Sequence, residues 1–168
     1  MAFSLIPRER YGSIYDIDPD ELKRRGITLL LLDLDNTIAA YHITAPDAQL
    51  ISWVSELREK GIEPFILSNS RKPTRVDDFA RLLGVPFMRR AGKPRSAGFH
   101  KAMELMGRRR EETAMVGDQI FTDILGANRA GIRSLLVKPI LLKNPFHRLR
   151  YGFETPFRLG AKKLEKPR

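Results

Sequence analysis

Acidic side chains stand where two short apolar segments of the chain end. Asp33 and Asp35 end a leucine-rich segment, and Asp118 and Asp123 follow a later apolar segment. Carboxylates that lie close together repel one another and are stabilised by a cation. Oxygen ligands suit Mg²⁺, and the chain has no cysteine or histidine cluster that would favour a softer metal. The pattern predicts a Mg²⁺ site beside Asp33 that Asp118 binds, with Asp123 binding the metal directly or holding its waters.

Polar side chains also follow two other apolar segments. Ser68 and Asn69 end one of them, and Lys93 follows the other. A carboxylate such as Asp33, placed beside Mg²⁺ and a lysine, can attack a phosphoryl group. The metal and Lys93 would neutralise the charge on the transferring oxygens, and Ser68 would donate a hydrogen bond to one of them. These residues therefore predict phosphoryl transfer to Asp33.

Asp35 and two neighbouring polar residues would complete this chemistry. If residues 33–35 are extended, Asp35 points back into the site, because alternate residues of a strand share a face. It could then protonate the leaving oxygen and later activate a water that attacks the aspartyl phosphate. Thr37 and Asn69 could donate hydrogen bonds to the phosphate, and either could equally serve a turn.

Each of these residues also has a plainer interpretation. Asp33 and Asp35 could belong to a solvated turn, although the end of a four-leucine strand is an unusual place for one. Lys93 could be a surface lysine, and Ser68 a turn residue. Asp123 could simply favour the first turn of a helix through its charge. Only their common position at the ends of predicted strands favours a phosphoryl-transfer site.

The elements that would position these residues alternate along the chain. Short apolar runs predict strands, and apolar residues at helical spacing predict the helices between them. Such an alternation predicts an α/β fold with a parallel sheet of about five strands and helices on both faces, and ligands bind at the carboxyl ends of such strands. The predicted strands are 29–32, 64–67, 85–88, 113–116 and 133–137, and the predicted helices are 18–26, 46–60, 73–83, 96–106 and 122–130.

In this order, the motifs resemble those of the haloacid dehalogenase (HAD) superfamily of phosphotransferases. The resemblance implies a Rossmann-like three-layer sandwich. It also implies that Asp33 is the nucleophile, that Asp35 marks a phosphatase, and that Asp33, the Asp35 backbone carbonyl and Asp118 hold Mg²⁺. The motifs are Asp33-Leu34-Asp35-Asn36-Thr37, Ser68, Lys93-Pro94, and Gly117-Asp118 through Asp123.

The spacing of the motifs leaves no room for a cap domain. Asp33 and Ser68 are separated by one turn-like stretch and one helix, and Ser68 and Lys93 by one helix and one strand. A site without its own lid is open to bulky substrates or to a partner that closes it. We therefore expect a capless member of the superfamily.

The sequence looks closer still to the YqeG-type branch of subclass IIIA. Leu67-Ser68-Asn69-Ser70 and an Asn-Pro pair at Asn144-Pro145 agree with that branch. Related eukaryotic enzymes are phosphatidylglycerophosphate phosphatases, so the resemblance implies this lipid phosphomonoester as a candidate substrate. A phosphatase of soluble nucleotide, sugar or protein phosphoesters is the alternative within the same chemistry.

Positive charge is concentrated at the C-terminal end of the chain. The 168 residues carry a net charge of +10, and nine basic against two acidic side chains place +7 of it in residues 138–168. We predict a capless phosphatase domain over residues 1–137 with a short helical leader, followed by a basic extension over residues 138–168. Its prolines and glycines predict that the extension does not form one long amphipathic helix.

The basic extension suggests a polyanionic partner. Together with its aromatic residues, it would suit an anionic membrane surface or, in a non-enzymatic interpretation, RNA or the ribosome. It could instead pack its apolar residues on the body of the protein. The four motifs make nucleic acid the less favoured partner. No apolar stretch is long enough to span a bilayer, and the N-terminus lacks a signal-peptide pattern, so we expect a cytoplasmic protein. Peripheral contact of the basic extension with a membrane is a further prediction.

Overall fold

The computed structural model describes residues 4–71, 73–142, 145–160 and 162–163. The strands are β1 (Glu9–Arg10), β2 (Leu29–Leu32), β3 (Glu63–Leu67), β4 (Phe87–Met88), β5 (Thr113–Gly117), β6 (Arg133–Leu136) and β7 (Lys162–Lys163). The helices are α1 (Pro19–Arg24), α2 (Ala48–Glu59), α3 (Pro73–Leu83), α4 (Ala97–Leu105), α5 (Leu125–Ala130) and α6 (Pro145–Leu159). Short 3-10 turns cover Ile14–Asp16 and Arg110–Glu112, and a π-helical turn over Ile120–Ile124 leads into α5.

All strands of the sheet run parallel, in the order β4-β3-β2-β5-β6-β1-β7. The five predicted strands are present, so the α/β fold with a parallel sheet is confirmed. The predicted count of about five was too low, because β1 and β7 add two strands at one edge. Each of these has only two residues and no apolar run, so their pairing through Glu9 and Arg10 leaves no periodic signal in the sequence.

The centre of the sheet is buried on both sides. All four leucines of β2 are buried, which is why the segment reads as one continuous apolar run. Leu30 and Leu32 pack with α2 and α3 in one core, whereas Leu29 and Leu31 pack with α4 and α5 in the other. The sheet therefore separates two helical layers, as predicted, and β2 and β5 lie side by side at its centre.

No cap domain interrupts the part of the fold that the structure describes. Between β2 and β3 the chain forms a loop and α2, and between β3 and β4 it forms only α3. The side chain of Asp47 begins α2 by accepting a hydrogen bond from the Leu50 amide at 2.8 Å. No inserted cap therefore covers the carboxyl ends of β2, β3 and β5 in the described residues, and the expectation of a capless fold is confirmed.

The C-terminal segment contradicts one sequence prediction. Residues 145–159 form a single 15-residue helix, α6, with Pro156 inside it. Pro145 stands at the first helical position, where the missing N–H costs nothing, and Pro156 falls in the last turn. No helix in the described part of the chain is long and apolar enough to cross a membrane.

Candidate active site

Asp33 leaves β2 through a tight turn. The carbonyl of Leu34 accepts hydrogen bonds from the amides of Ile38 and Ala39, at 3.2 and 3.1 Å. Asn36 adopts a left-handed conformation with φ of 65°, which asparagine tolerates better than most residues. The turn brings Thr37 back over the end of the strand, so Asp33 and Thr37 are both buried at one point.

Three carboxylates meet at this point. Oxygen atoms of Asp33, Asp118 and Asp123 all lie within 4.8 Å of one another, and the three residues are 6%, 1% and 0% exposed. The Thr37 hydroxyl accepts a hydrogen bond from the Asp118 amide at 3.1 Å and lies 3.2 Å from the Asp118 carboxylate. It therefore ties the loop after β2 to the loop after β5.

Lys93 supplies the ammonium group of the cluster. Its Nζ lies 2.6 Å from Asp33 Oδ1 and 2.7 Å from Asp123 Oδ1, and it donates to the Leu67 carbonyl at 2.8 Å. The buried ammonium thus has oxygen atoms of three different residues within 2.8 Å, two as hydrogen-bond acceptors and Asp123 as an ion-pair partner. Asn69 holds the lysine backbone from both sides, since its amide donates to the Lys93 carbonyl and its oxygen accepts from the Lys93 amide, both at 2.9 Å.

Burial and mutual repulsion perturb these groups strongly. Burial raises the pKa of Asp33 to about 7, although the Lys93 charge opposes the rise, and Asp123 adds to it. Burial, followed by the charges of Asp123 and Asp33, raises the pKa of Asp118 well above its ordinary value. Burial lowers the pKa of Lys93, but the two carboxylates outweigh it and raise that pKa overall.

The donor set fits a hard divalent cation. The cluster holds three buried carboxylates and one ammonium, which contacts Asp33 and Asp123, so it carries excess negative charge in a place where water cannot screen it. Every ligand atom that these residues offer is an oxygen, and carboxylate oxygens are what Mg²⁺ binds. A divalent cation would relieve the repulsion that raises the pKa of Asp33 and Asp118.

Asp123 reaches the cluster because Gly117 has no side chain. The π-helical turn over Ile120–Ile124 carries Asp123 back towards β5, where its Oδ2 accepts a hydrogen bond from the Gln119 amide at 3.2 Å. A Cβ atom at Gly117 would lie 2.4 Å from the Cβ and Cγ atoms of Asp123. The glycine of the Gly117-Asp118 pair is therefore needed for close packing of the carboxylate.

Gly117→Ala is expected to destabilise the protein by about 1–3 kcal/mol, because the buried Asp123 cannot move without losing Lys93. Urea unfolding measures the loss. Gly152→Ala is the matched control, since nothing lies within 4 Å of a Cβ at that helical position. The control is expected to stabilise α6 by about 0.5–1 kcal/mol. A Gly117→Ala protein as stable as the wild type would contradict the packing argument.

Asp35 and Ser68 lie beside the cluster and outside its carboxylate set. Asp35 Oδ1 accepts a hydrogen bond from Arg75 Nε at 2.7 Å, and the Arg75 guanidinium also donates to the Ala40 carbonyl at 2.9 Å. Arg75 thus holds the loop after β2 in place. Ser68 is buried directly after Leu67, and its hydroxyl accepts a hydrogen bond from the Ser70 amide at 3.1 Å.

Sequence reasoning missed the contribution of α6 to this site. The Glu154 carboxylate is buried and accepts hydrogen bonds from the amides of Ile120 and Phe121, at 3.1 and 3.4 Å. Arg158 donates to Glu154 and to the carbonyl of Asp118. The spacing of Arg150, Glu154 and Arg158, four residues apart, was the available signal. The intervening glycine and proline argue against a helix and obscure that signal.

An open polar cavity adjoins Lys93 on the solvent side. It has a volume of about 550 Å³ and is lined by Asn69, Arg71, Arg90, Gly92 and Lys93. Two arginines at the rim give the cavity a positive charge that suits a phosphate.

Comparisons with known proteins agree with this arrangement. The family model of the haloacid dehalogenase-like hydrolases matches residues 5–131. The chain is 36% identical to a probable phosphatase, YqeG, of Bacillus subtilis over 84% of its own length and 81% of that protein. It is 27% identical to the Arabidopsis thaliana chloroplastic/mitochondrial phosphatidylglycerophosphate phosphatase 1, over 81% of its own length and only 41% of that protein.

Solved structures support the fold. The cobalt-bound deoxy-D-mannose-octulosonate 8-phosphate phosphatase of Haemophilus influenzae superposes with a TM-score of 0.57 at 15% identity, over 81% of this chain and 91% of that one. At that identity the likeness concerns the fold alone.

Proposed function

The chain belongs to the haloacid dehalogenase-like hydrolases and is a phosphatase of that family, and we propose that it is a Mg²⁺-dependent phosphomonoester hydrolase that acts through an aspartyl phosphate on Asp33. The observation that carries the proposal is the buried cluster in which Lys93 Nζ lies 2.6 Å from Asp33 and 2.7 Å from Asp123, with Asp118 alongside. A nucleophilic carboxylate, a fixed ammonium and spare carboxylates for a metal are the groups that phosphoryl transfer to an aspartate requires.

Asp33, Asp118 and Asp123 would hold the cation, together with the Asp35 backbone carbonyl. Bound there, Mg²⁺ would neutralise negative charge on the phosphoryl group. Lys93 keeps one Asp33 oxygen oriented through a 2.6 Å contact, and Asn69 fixes the lysine backbone. We therefore assign Asn69 a positioning role through Lys93, beside the predicted role in substrate binding.

In the first half of the reaction, an Asp33 oxygen forms a bond to phosphorus while the ester oxygen leaves. Asp35 would protonate the leaving oxygen and, in the second half, accept a proton from the water that attacks the aspartyl phosphate. Because Asp35 is bound to Arg75, it must exchange that partner to reach the ester oxygen. Ser68 and Thr37 would donate hydrogen bonds to the phosphoryl oxygens.

The candidate substrate is a phosphatidylglycerophosphate. Its support is the similarity to the Arabidopsis thaliana enzyme of that name, of which this chain spans less than half. The capless fold agrees, since a site without a lid accepts a bulky substrate. Soluble phosphomonoesters are the alternative that the same site would accept.

A substrate panel tests the proposal. With Mg²⁺, the purified protein is expected to hydrolyse p-nitrophenyl phosphate and, with a kcat/KM at least tenfold higher, a dispersed phosphatidylglycerophosphate. EDTA should abolish both activities, and added Mg²⁺ should restore them. Soluble sugar and nucleotide monophosphates belong in the same panel. A soluble phosphoester preferred over the lipid would overturn the substrate assignment, and activity that survives EDTA would overturn the metal assignment.

A further inference from the structure

Helix α6 buries two charged residues and exposes two large apolar ones. Glu154 and Arg158 are 0% and 5% exposed, whereas Leu149 and Phe153 are 61% and 66% exposed. A surface helix of a globular protein normally shows the opposite arrangement. The inward charges are explained by their bonds to the loop after β5, but no contact in the described structure explains the outward apolar face.

The outward face borders an apolar groove that starts at the loop between Asp118 and Asp123. The groove has a volume of about 460 Å³ and is lined by Phe121, Leu149, Arg150, Phe153 and Phe157. Phe121 belongs to the loop between Asp118 and Asp123, and its ring packs edge-on against Phe157 at 6.3 Å. One wall of the groove therefore belongs to the same loop as two of the metal-site carboxylates.

A positive charge stands at the end of the groove nearest the site. Arg150 Nη1 donates to Gln119 Oε1 at 2.9 Å, and Gln119 follows Asp118 directly. Arg150 and Arg158 share the single carboxylate of Glu154, so the three side chains carry a net charge of +1. Single exposed apolar residues such as Leu105 need no explanation, but a lined apolar groove that ends in an arginine beside a phosphatase site does.

We propose that this groove binds a hydrocarbon chain of an amphiphilic phosphomonoester substrate, with Arg150 facing the anionic group that joins the chain to the reacting phosphate. The proposal rests on the proposed function, since it names the part of the molecule that recognises the substrate beyond its phosphate. The occupant follows from the charge and the polarity of the groove: an apolar wall for the chain, a guanidinium for an anion, and the carboxylate cluster beyond it.

Binding of a product-like lipid tests the groove without catalysis. The probes are dibutanoyl- and dihexanoyl-phosphatidylglycerol, below their micellar concentrations and with EDTA present, titrated by calorimetry. Each half-buried methylene is worth about twofold in affinity, so two additional methylenes on one chain should give the hexanoyl lipid about fourfold tighter binding. The double variant Leu149→Gln/Phe153→Gln should bring that ratio close to one.

Leu105→Gln is the matched control, because Leu105 is a similarly exposed leucine on α4 outside the groove. It is expected to keep the chain-length ratio of the wild type. For each variant we compare the ratio of its affinities for the two lipids. A general loss of structure lowers both affinities by the same factor and leaves this ratio unchanged. Point variants are preferable to deletion of the C-terminal segment, because deletion would also remove the hydrogen bonds that Glu154 accepts from the amides of Ile120 and Phe121.

The same ratio measured as kcat/KM, with the two short-chain phosphatidylglycerophosphates as substrates, separates the possible failures. A wild type that hydrolyses no phosphomonoester, but binds the probes with a ratio that the groove variant loses, would overturn the proposed function and support the groove. A ratio that survives the double variant would overturn the groove. Groove variants that keep the chain-length ratio but lose binding to anionic vesicles, or lose self-association, would also overturn the proposal. The apolar face would then serve a bilayer or a second copy of the chain.

Discussion

Asp33→Asn is expected to lower kcat for p-nitrophenyl phosphate by a factor of about 10⁴ or more, with the fold retained. An amide oxygen is a poor nucleophile, so no aspartyl phosphate can form at this position. Lys93 keeps its contacts with Asp123 and the Leu67 carbonyl, which are independent of Asp33. Steady-state assays with Mg²⁺ measure the loss, and circular dichroism with thermal unfolding checks the fold.

Asp78→Asn provides the matched control for this substitution. Asp78 lies on α3, where it pairs with Arg81 at the surface. Removing an exposed ion pair of this kind costs little, so both activity and stability should stay close to the wild type. Retained Mg²⁺-dependent hydrolysis in Asp33→Asn would show that another residue is the nucleophile. A covalent phosphate trapped on any other residue would lead to the same conclusion.

The sequence predicted the centre of this site because the centre is determined locally. Leu29–Leu32 has the composition of a strand buried on both faces, and such a strand forces Asp33 to the carboxyl edge of a parallel sheet. The same reasoning placed Ser68 and Asp118 at neighbouring edges, since β3 and β5 flank β2. The structure brings Asp33, Lys93, Asp118 and Asp123 together, but their catalytic roles stay predictions.

What the sequence did not predict depends on contacts between distant residues. Asp35 was expected to point into the site, but its bond to Arg75 joins residues 40 positions apart. Gly152 and Pro156 argue against a helix over α6, yet the Glu154 carboxylate accepts hydrogen bonds from amides 33 and 34 positions away, which stabilise the helix from outside. The local sequence propensity of a segment cannot predict either contact. The division of the chain into a phosphatase domain over residues 1–137 and a basic extension over residues 138–168 stays a prediction.

Lys93→Met is expected to lower the free energy of unfolding by about 3 kcal/mol at pH 8 without metal, because it leaves buried carboxylates without their ammonium partner. The loss should be clearly smaller at pH 5. In the wild type, the pKa of Asp33 is about 7 in the folded chain against an ordinary value of 3.8. The folded state thus binds more protons than the unfolded state between these values, so this group makes stability fall as the pH rises from about 4 to about 7.

Removing Lys93 should extend that fall above pH 7, since the lysine charge opposes the rise in the pKa of Asp33. Urea unfolding with EDTA at pH 5 and pH 8 measures both losses. Lys93→Met/Asp123→Asn removes one carboxylate together with the ammonium, so it should recover part of the stability at pH 8 while phosphatase activity stays lost. Equal destabilisation at both pH values, or no recovery in the double variant, would mean that Lys93 contributes by packing and that its charge does not govern the cluster.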